Sequence, residues 1–528
     1  MIHSLNYKII LIVLIVFSIF TLTFRILSVP PGVETDEGSI AYNAALISRT
    51  LRDQNDRFMP FFILSSDHMD WKQPVLIYLS AIAFRIFGSS LLVFKMVNIF
   101  STLAALIIIY FICKLVFNNK YFGTFGVIIT ITSPIVIITS RIGNESIQPL
   151  FYSSLWLLSL VLYRKYHKNY YLFISAIALG IGLYCFKGMR IITPIWIVLT
   201  VLYLLARYLR LNEFDLFIEE KDDLSKTYKK LFLLIKKTIL NKKFLKSFTI
   251  FVLSILPFIV IIPLLEWKYP GSVFDRQQLP QESYRQYIHY WLSNLNLPFF
   301  FTQAEIAKTY ETVTYGPFLL AFLPLFVIGI FKSLKKINFN FFILICLFAT
   351  PALFGAPKSI GYIHRLIGII PFFVVIILQG CLEMRRLLIE NFNHGGLKKI
   401  SSIVLASAIL LFSLYNYIDF ATFYYFNYPK LESTKYAFGN KFNHAFQTLS
   451  KEAKNRKLTP YVQENVFDRG GDTNKFYDVA YFERKIKIWK LGENLPVGSI
   501  LLTDVEKIEN YQNINSPVYP LNILIKPN

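Results

Sequence analysis

Long apolar runs separated by short polar and basic stretches dominate the chain, and the runs have the length of membrane helices. The first, Ile9 to Val29, holds about twenty residues, enough to cross a hydrocarbon layer ~30 Å thick at ~1.5 Å rise per residue. It is longer than a signal-peptide apolar region, and no small-x-small cleavage site precedes Pro30-Pro31, so an uncleaved helix is expected. Further spans are predicted over 91–113, 121–140, 147–163, 170–186, 191–206, 247–266, 315–331, 338–354, 366–382 and 400–417. That makes about eleven crossings by the length rule. Pro74 to Gly88 is apolar but short and carries Arg85, which suits an interfacial or re-entrant helix.

The charge pattern decides that ambiguity. If 74–88 does not cross, the loops containing Lys114 and Lys120, Arg164, Lys165 and Lys168, Lys332, Lys335 and Lys336, and Arg385, Arg386, Lys398 and Lys399 share one side. The 207–246 loop, with Lys229, Lys230, Lys236, Lys237, Lys242 and Lys243, joins them, and all are basic as cytoplasmic loops should be. A crossing at 74–88 would move all of these loops to the other side, and the rule would fail. The extracytoplasmic side then receives loop 30–90, the 141–147 connection, loop 267–314 and the 355–365 connection. The segment after Tyr417 also emerges there. Its turn signals (Arg469-Gly470-Gly471-Asp472, Pro496-Val497-Gly498) and β-rich runs predict a small α/β unit.

Composition agrees with this reading. Hydrophobic residues make up 54% of the 528-residue chain and charged ones only 17%, which excludes an ordinary soluble or disordered protein. The formal charge of +22 would suggest nucleic acid in a soluble protein, but here it follows from the basic loops. Cys113, Cys185, Cys346 and Cys381 all fall in apolar runs, so they read as buried hydrophobes rather than a disulfide or zinc framework. The expected fold class is an all-α polytopic membrane protein over 1–418 with an extracytoplasmic α/β domain over 419–528.

Polar chemistry collects at four places on the external side. Loop 30–90 opens with Glu34, Asp36 and Glu37, carboxylates that can act as a base or hold a divalent cation, or merely form a solvated acidic turn. Asp70-Trp71-Lys72-Gln73-Pro74 follows, leading to Tyr78. Lys72 is placed either to hold a lipid phosphate or to snorkel at the interface. The 141–147 connection carries Arg141, Asn144 and Glu145, ionisable groups that are costly at a membrane boundary unless paired or used. Lys187 and Arg190, and later Lys358, His364 and Arg365, are cations on the side that should be poor in them. A basic pocket at membrane depth beside carboxylates suits a reaction on a lipid-linked phosphate. No P-loop, GxSxG, HExxH or Rossmann glycine pattern offers a competing chemistry.

These residues, in this order, resemble the GT-C membrane glycosyltransferases, and most closely the protein O-mannosyltransferases and the aminoarabinose transferases that modify lipid A. The resemblance runs from Met1 to about Arg386. It rests on Asp36-Glu37, Lys72-x-Pro74-x-x-x-Tyr78, Ser140-Arg141 with Asn144-Glu145, Gly180-x-Gly182 with Lys187-Gly188, and Lys358 with Tyr362 before Pro371. It implies an enzyme of the plasma (inner) membrane taking a sugar from a polyprenyl-phosphate donor, with inversion, to a lipid, protein or glycan acceptor on the extracytoplasmic face. Asp36, with Glu37, would be catalytic; Lys72, Lys187, Arg190, Lys358 and Arg365 would hold the donor phosphate. Asn144, Glu145 and Arg141 would serve the acceptor or a metal, with Tyr78, Tyr362 and His364 alongside. A divalent cation such as Mg or Mn would sit between Asp36 and Glu145, although relatives often have Asp where this chain has Asn144-Glu145.

Two other readings compete. A transporter or flippase for a lipid-linked or anionic substrate calls for mid-span charges and paired broken helices in two halves, and the sequence shows almost no mid-helix charge and no such symmetry. A membrane scaffold with a partner-binding external domain leaves Lys187 and Arg190 unexplained. The expected partners are therefore the lipid donor, the acceptor and membrane lipids, and not nucleic acid.

Overall fold

The computed structural model describes residues 2–65, 70–209, 239–273, 284–295, 297–302, 315–350, 363–393, 396–505, 508, 511–513 and 521–526. They are mostly helical. In chain order α1 is Ile2–Thr23, α2 Thr35–Thr50, α3 Pro74–Phe87, α4 Leu91–Val116, α5 Lys120–Ile131, α6 Pro134–Arg141, α7 Gln148–Tyr166, α8 Tyr170–Gly182 and α9 Met189–Tyr208. Later helices include Lys242–Lys268, Leu323–Leu334, Phe339–Ala349, Ile370–Asn393 and Gly396–Thr422. Six described helical stretches are long and apolar enough to cross a membrane, seven if α5 and α6 count as one bent span.

The predicted runs all hold apolar helix, but several are shorter than a full crossing. The run 121–140 breaks by 64° between α5 and α6, where Ser133-Pro134 lacks one backbone donor and turns Pro134 into the first residue of a new helix. Runs 170–186, 315–331 and 338–354 contribute only α8, Leu323–Leu334 and Phe339–Ala349. Exposed side chains on α1 (Ile12, Val13, Ile15, Val16) and on Gly396–Thr422 (Val404, Leu410, Leu411, Leu414) are apolar, as a face turned to lipid requires. α3 lies along α2, burying Leu76, Ile77, Ala81 and Phe84 and exposing Ile82, Ile86 and Phe87.

The bundle core is aromatic, and its two central indoles are hydrogen-bonded. Trp156 of α7 stacks on Trp196 of α9 with centroids 5.0 Å apart, and Phe372 meets both rings edge-on. The two indole N–H groups donate to Thr200 and Thr350 at 3.0 and 2.9 Å. Helices Leu323–Leu334 and Ile370–Asn393 touch backbone to backbone. A Cβ on Gly329 would lie 1.9 Å from the Ile376 carbonyl, and one on Gly380 1.8 Å from that of Leu325, the small-residue crossing that lets membrane helices approach closely.

A second core joins α2, α3 and the start of α4 to the C-terminal residues. After the two-residue strands β1 Ile63–Leu64 and β2 Trp71–Lys72 of the first loop, β3 Thr459–Gln463, β4 Lys487–Trp489, β5 Ser499–Thr503, β6 Gln512–Asn513 and β7 Asn522–Ile525 form one mixed sheet in this C-terminal region, ordered β4-β3-β5-β7-β6. β3 runs parallel to β4 and β5, pairing Tyr461 with Lys487 and Thr459 with Ser499. β7 is antiparallel to β5 and β6, with Ile500 opposite Ile525. The helix Gly471–Phe482 bridges this sheet region to α2, approaching so closely that a Cβ on Gly38 would overlap Thr473. Position 418/419, taken from sequence as the start of the external unit, lies inside the continuous helix Gly396–Thr422, and the apolar core does not divide there.

Candidate functional site

The acidic trio is first of all a helix start. Glu34 caps α2 and Glu37 closes a capping box, its Oε2 accepting the Glu34 N–H at 2.8 Å. Carboxylates at this end also complement the positive pole of the helix dipole. Glu37 is fully buried and accepts the Gly143 N–H as well. Burial pushes its carboxyl up, against the pull of the Lys95 ammonium and of the two N–H groups. Asp36, half-buried, is the member that turns to other side chains.

Its partner is Lys72. Two-residue strands Ile63–Leu64 and Trp71–Lys72 pair antiparallel with Ile63 opposite Lys72. Strand alternation sends Trp71 outward, over Tyr269 and Arg57, and Lys72 inward. The Lys72 ammonium donates to Asp36 and, at 3.2 Å, to Asp70 Oδ2. Asp70 accepts from Lys187 through its other oxygen. Four side chains thus form one chain of charge, Asp36–Lys72–Asp70–Lys187. Burial acts to raise the Asp70 carboxyl, but the Lys187 and Lys72 ammoniums hold it below its ordinary value. On Lys72, burial acts downward and the carboxylates of Asp36 and Asp70 more than offset it, so its ammonium stays above its ordinary value.

Lys187 sits in the α8–α9 turn and Arg190 in the first turn of α9, the helix end that disfavours cations. Arg190 is anchored by acceptors: the Ser272 carbonyl, the Val273 carbonyl at 3.0 Å and Gln73 Oε1 at 2.6 Å, with the Phe62 ring beneath. Glu145 opens a short 3-10 turn, Glu145–Ile147, capped by Asn144, whose side chain accepts from Ser146 N at 3.1 Å. Glu145 is buried, feels Lys72, Lys187, Asp36 and Asp70, and its Oε2 accepts no hydrogen bond among the described residues.

The remaining sequence candidates are placed differently. Arg141 is fully buried and turned away from the charge chain. Its guanidinium caps α1, donating to the carbonyls of Thr21 (3.2 Å), Leu22 (2.8 Å), Phe24 (2.6 Å) and Val29 (2.9 Å). The Tyr78 hydroxyl donates to the Pro60 carbonyl at 2.6 Å, tying α3 to the loop before it. His364 and Arg365 are half-buried in the 3-10 segment Ile363–Ile369, which packs on the Glu145 turn and on the start of α7. Lys358 and Tyr362 lie outside the described residues.

Three polar residues escaped the sequence reading. Asp70 had a signal: it stands two positions before Lys72, and in an extended segment such residues share a face. Gln73, which anchors Arg190, had none. Lys95, fully buried in α4 with its ammonium 3.4 and 3.3 Å from the Ile26 and Pro30 carbonyls, looked like the flank of a span. A divalent cation between Asp36 and Glu145 does not fit the donor set. Among the described residues no three His, Cys, Asp or Glu side chains gather, and Lys72 already occupies Asp36.

Residues 71–214, which contain Lys72, Glu145, Lys187 and Arg190, match the family model of dolichyl-phosphate-mannose-protein mannosyltransferases. No curated protein sequence matches the chain. The apo crystal structure of ArnT from Cupriavidus metallidurans superposes with a TM-score of 0.54 at 11% identity, over 99% of this chain and 98% of that one. The archaeal oligosaccharyltransferase AglB from Archaeoglobus fulgidus, in complex with an inhibitory peptide and a dolichol-phosphate, superposes with a TM-score of 0.50 at 13% identity, over 92% of this chain and 65% of that one. The chain thus has the fold of the GT-C membrane glycosyltransferases and carries the mannosyltransferase family's sequence pattern over residues 71–214.

Proposed function

We propose that this protein transfers a sugar from a polyprenyl-phosphate donor to an acceptor on the extracytoplasmic face of the membrane, with inversion at the anomeric carbon. The observation that carries the reading is the hydrogen-bonded chain Asp36–Lys72–Asp70–Lys187, which presents two ammoniums and two carboxylates at one place. Phosphate is a good leaving group, so the donor needs cations that stabilise the departing charge rather than a strong acid. Lys72 and Lys187 are those cations, with Arg190 steadying the α9 end and Lys358 and Arg365 contributing from the late loop. When Lys72 turns to the phosphate, Asp36 is released to accept the proton of the acceptor hydroxyl or amine. The acceptor oxygen or nitrogen then bonds to the anomeric carbon as the bond from that carbon to the phosphate oxygen breaks. The phosphate leaves with the electron pair.

Asn144, Glu145 and His364 border the acceptor side in this reading, Tyr78 holds the loop, and Glu37 and Arg141 hold the fold; Tyr362, outside the described residues, is assigned to the acceptor by the sequence resemblance alone. The shorter apolar helices complete about eleven crossings by 3-10 extensions at their ends and by local thinning of the bilayer. The C-terminal sheet region is the external α/β domain and lies over α2. Support comes from the basic loops on one side, from the match over 71–214 and from the shared fold. The test is transfer of labelled sugar from polyprenyl phosphate in sealed membrane vesicles. The wild type labels an acceptor exposed on the outer side. Asp36→Asn should lose at least about a hundredfold in rate, the scale of a removed general base, with unchanged membrane insertion and melting temperature. Undiminished transfer by that variant would remove Asp36 from the mechanism, and label confined to the inner face would reverse the sidedness.

A further inference from the structure

The described charge chain contains one member for which the proposed reaction has no use. Asp36 has the proton to take, and Lys72 and Lys187 have the phosphate to hold. Asp70 belongs to neither job, yet it touches both lysines, one through each carboxylate oxygen.

We propose that Asp70 is a built-in counter-anion: it occupies the phosphate position between Lys72 and Lys187, gives way to the donor phosphate, and returns to expel the phosphate product. This rests on the reading of the site given above. Two features of the geometry support it. A carboxylate that spreads its two oxygens over two ammoniums imitates the way a phosphate would bridge them. The bridge also has one end at which its opening can begin. Lys72 is 4% exposed and retains Asp36 as a second partner, whereas Asp70 and Lys187 are 32% and 34% exposed and Asp70 is the one carboxylate paired with Lys187 among the described residues. The contact facing solvent is therefore the exchangeable one. The lysines also keep the Asp70 carboxyl ionised, so it competes as an anion at ordinary pH.

The chemistry of the reaction gives such a competitor a purpose. The donor is a phosphodiester with one negative charge, and the product is a phosphomonoester whose second proton leaves at about pH 6. The two lysines alone would hold the product more tightly than the donor and stall turnover. A resident carboxylate weakens both, and it opposes the more highly charged product more strongly because like charges repel in proportion to their product.

The experiment is equilibrium binding of a polyprenyl monophosphate to the purified full-length protein in lipid nanodiscs, with turnover measured on the same preparations. Asp70→Asn should bind the monophosphate about fivefold to tenfold more tightly, the scale of one partly exposed ion pair, with kcat and KM falling together. Asp70→Glu, which keeps the charge, should stay close to wild type. A residue that only braced the loop would move the other way, with Asp70→Asn loosening binding and raising KM. Unchanged or weaker binding by Asp70→Asn overturns the inference while leaving the glycosyltransferase reading standing. Absence of polyprenyl monophosphate binding by the wild type overturns that reading as well. If neither Asp70→Asn nor Asp70→Ser folds, the inference also falls, because a group that substrate displaces cannot be one on which the fold depends.

Discussion

Two sets of acidic and basic side chains lie around the start of α2. In one, Glu37, Lys95 and Arg141 are fully buried and their hydrogen bonds go to the backbone: Gly143 and Glu34 N–H groups, the Ile26 and Pro30 carbonyls, the end of α1. In the other, Asp36, Lys72, Asp70 and Lys187 bond to one another, and three of the four are partly open to solvent. Backbone partners cannot leave, whereas side-chain partners can be exchanged for a ligand's charge. Type of partner, more than burial or charge alone, separates the groups that hold this fold from those available for chemistry.

The largest effect should come from the first set. Arg141→Leu removes the donor to four carbonyls at the end of α1; Thr21 keeps the Tyr425 hydroxyl, whereas the Leu22, Phe24 and Val29 carbonyls lose the guanidinium. Each unsatisfied buried acceptor costs about 1–3 kcal/mol, and total stability is about 5–15 kcal/mol. The variant should therefore fail to accumulate as folded protein, read by fluorescence-detected size exclusion after detergent extraction. Arg141→Lys should not rescue it, because one ammonium cannot reach Thr21, Leu22, Phe24 and Val29 together. A folded, inactive Arg141→Leu would move Arg141 to the working set and break the distinction. Asp36→Asn is the mirror case: activity lost, fold kept.

Next in size is the buried Glu37 with Lys95. Glu37→Gln keeps one acceptor for Gly143 but loses the other and leaves the Lys95 ammonium without its carboxylate, for a loss of about 3 kcal/mol. Glu37→Gln combined with Lys95→Met should recover part of that loss, because the second change removes the uncompensated charge. Melting temperatures of the two single variants and the double variant measure the coupling. Simple additivity would mean that the two groups do not act as a pair.

The sequence exposed these two sets unequally. The apolar runs and the basic loops carry the membrane architecture because lipid and topology act on composition, which is local. The short helix α3 is legible for the same reason, as an apolar run of limited length ending near Arg85. Lys72 and Lys187 are legible as cations in connections that the loop charges assign to the cation-poor side. The division of labour among Glu34, Asp36 and Glu37 is only half legible. The spacing of Glu34 and Glu37 fits a capping box, which leaves Asp36 for other work, but burial of Glu37 depends on Gly143, more than a hundred residues away in the chain. Arg141 is the plainest failure. From sequence it is a charge at a span boundary, and nothing local tells that the end of α1 comes to meet it.

The smallest effect concerns a carboxylate that belongs to neither set. Asp478, in the helix Gly471–Phe482, accepts the Ile486 N–H at 3.2 Å. Burial raises its carboxyl to about 6, against the Ile486 N–H and the charges of Arg484 and Arg49. Because the folded value lies above the unfolded one, the folded state holds more protons between about pH 4 and 6, so stability falls as pH rises through that window and levels off above it. Asn keeps the acceptor for Ile486 and has no charge to desolvate. Asp478→Asn should thus gain about 1 kcal/mol at pH 7–8 after allowance for solvent screening, and the gain should vanish below about pH 4. Thermal melts across that range check the sign. A gain at low pH, or a loss at pH 8, would show that the Asp478 charge is used by a partner and place it with the working carboxylates.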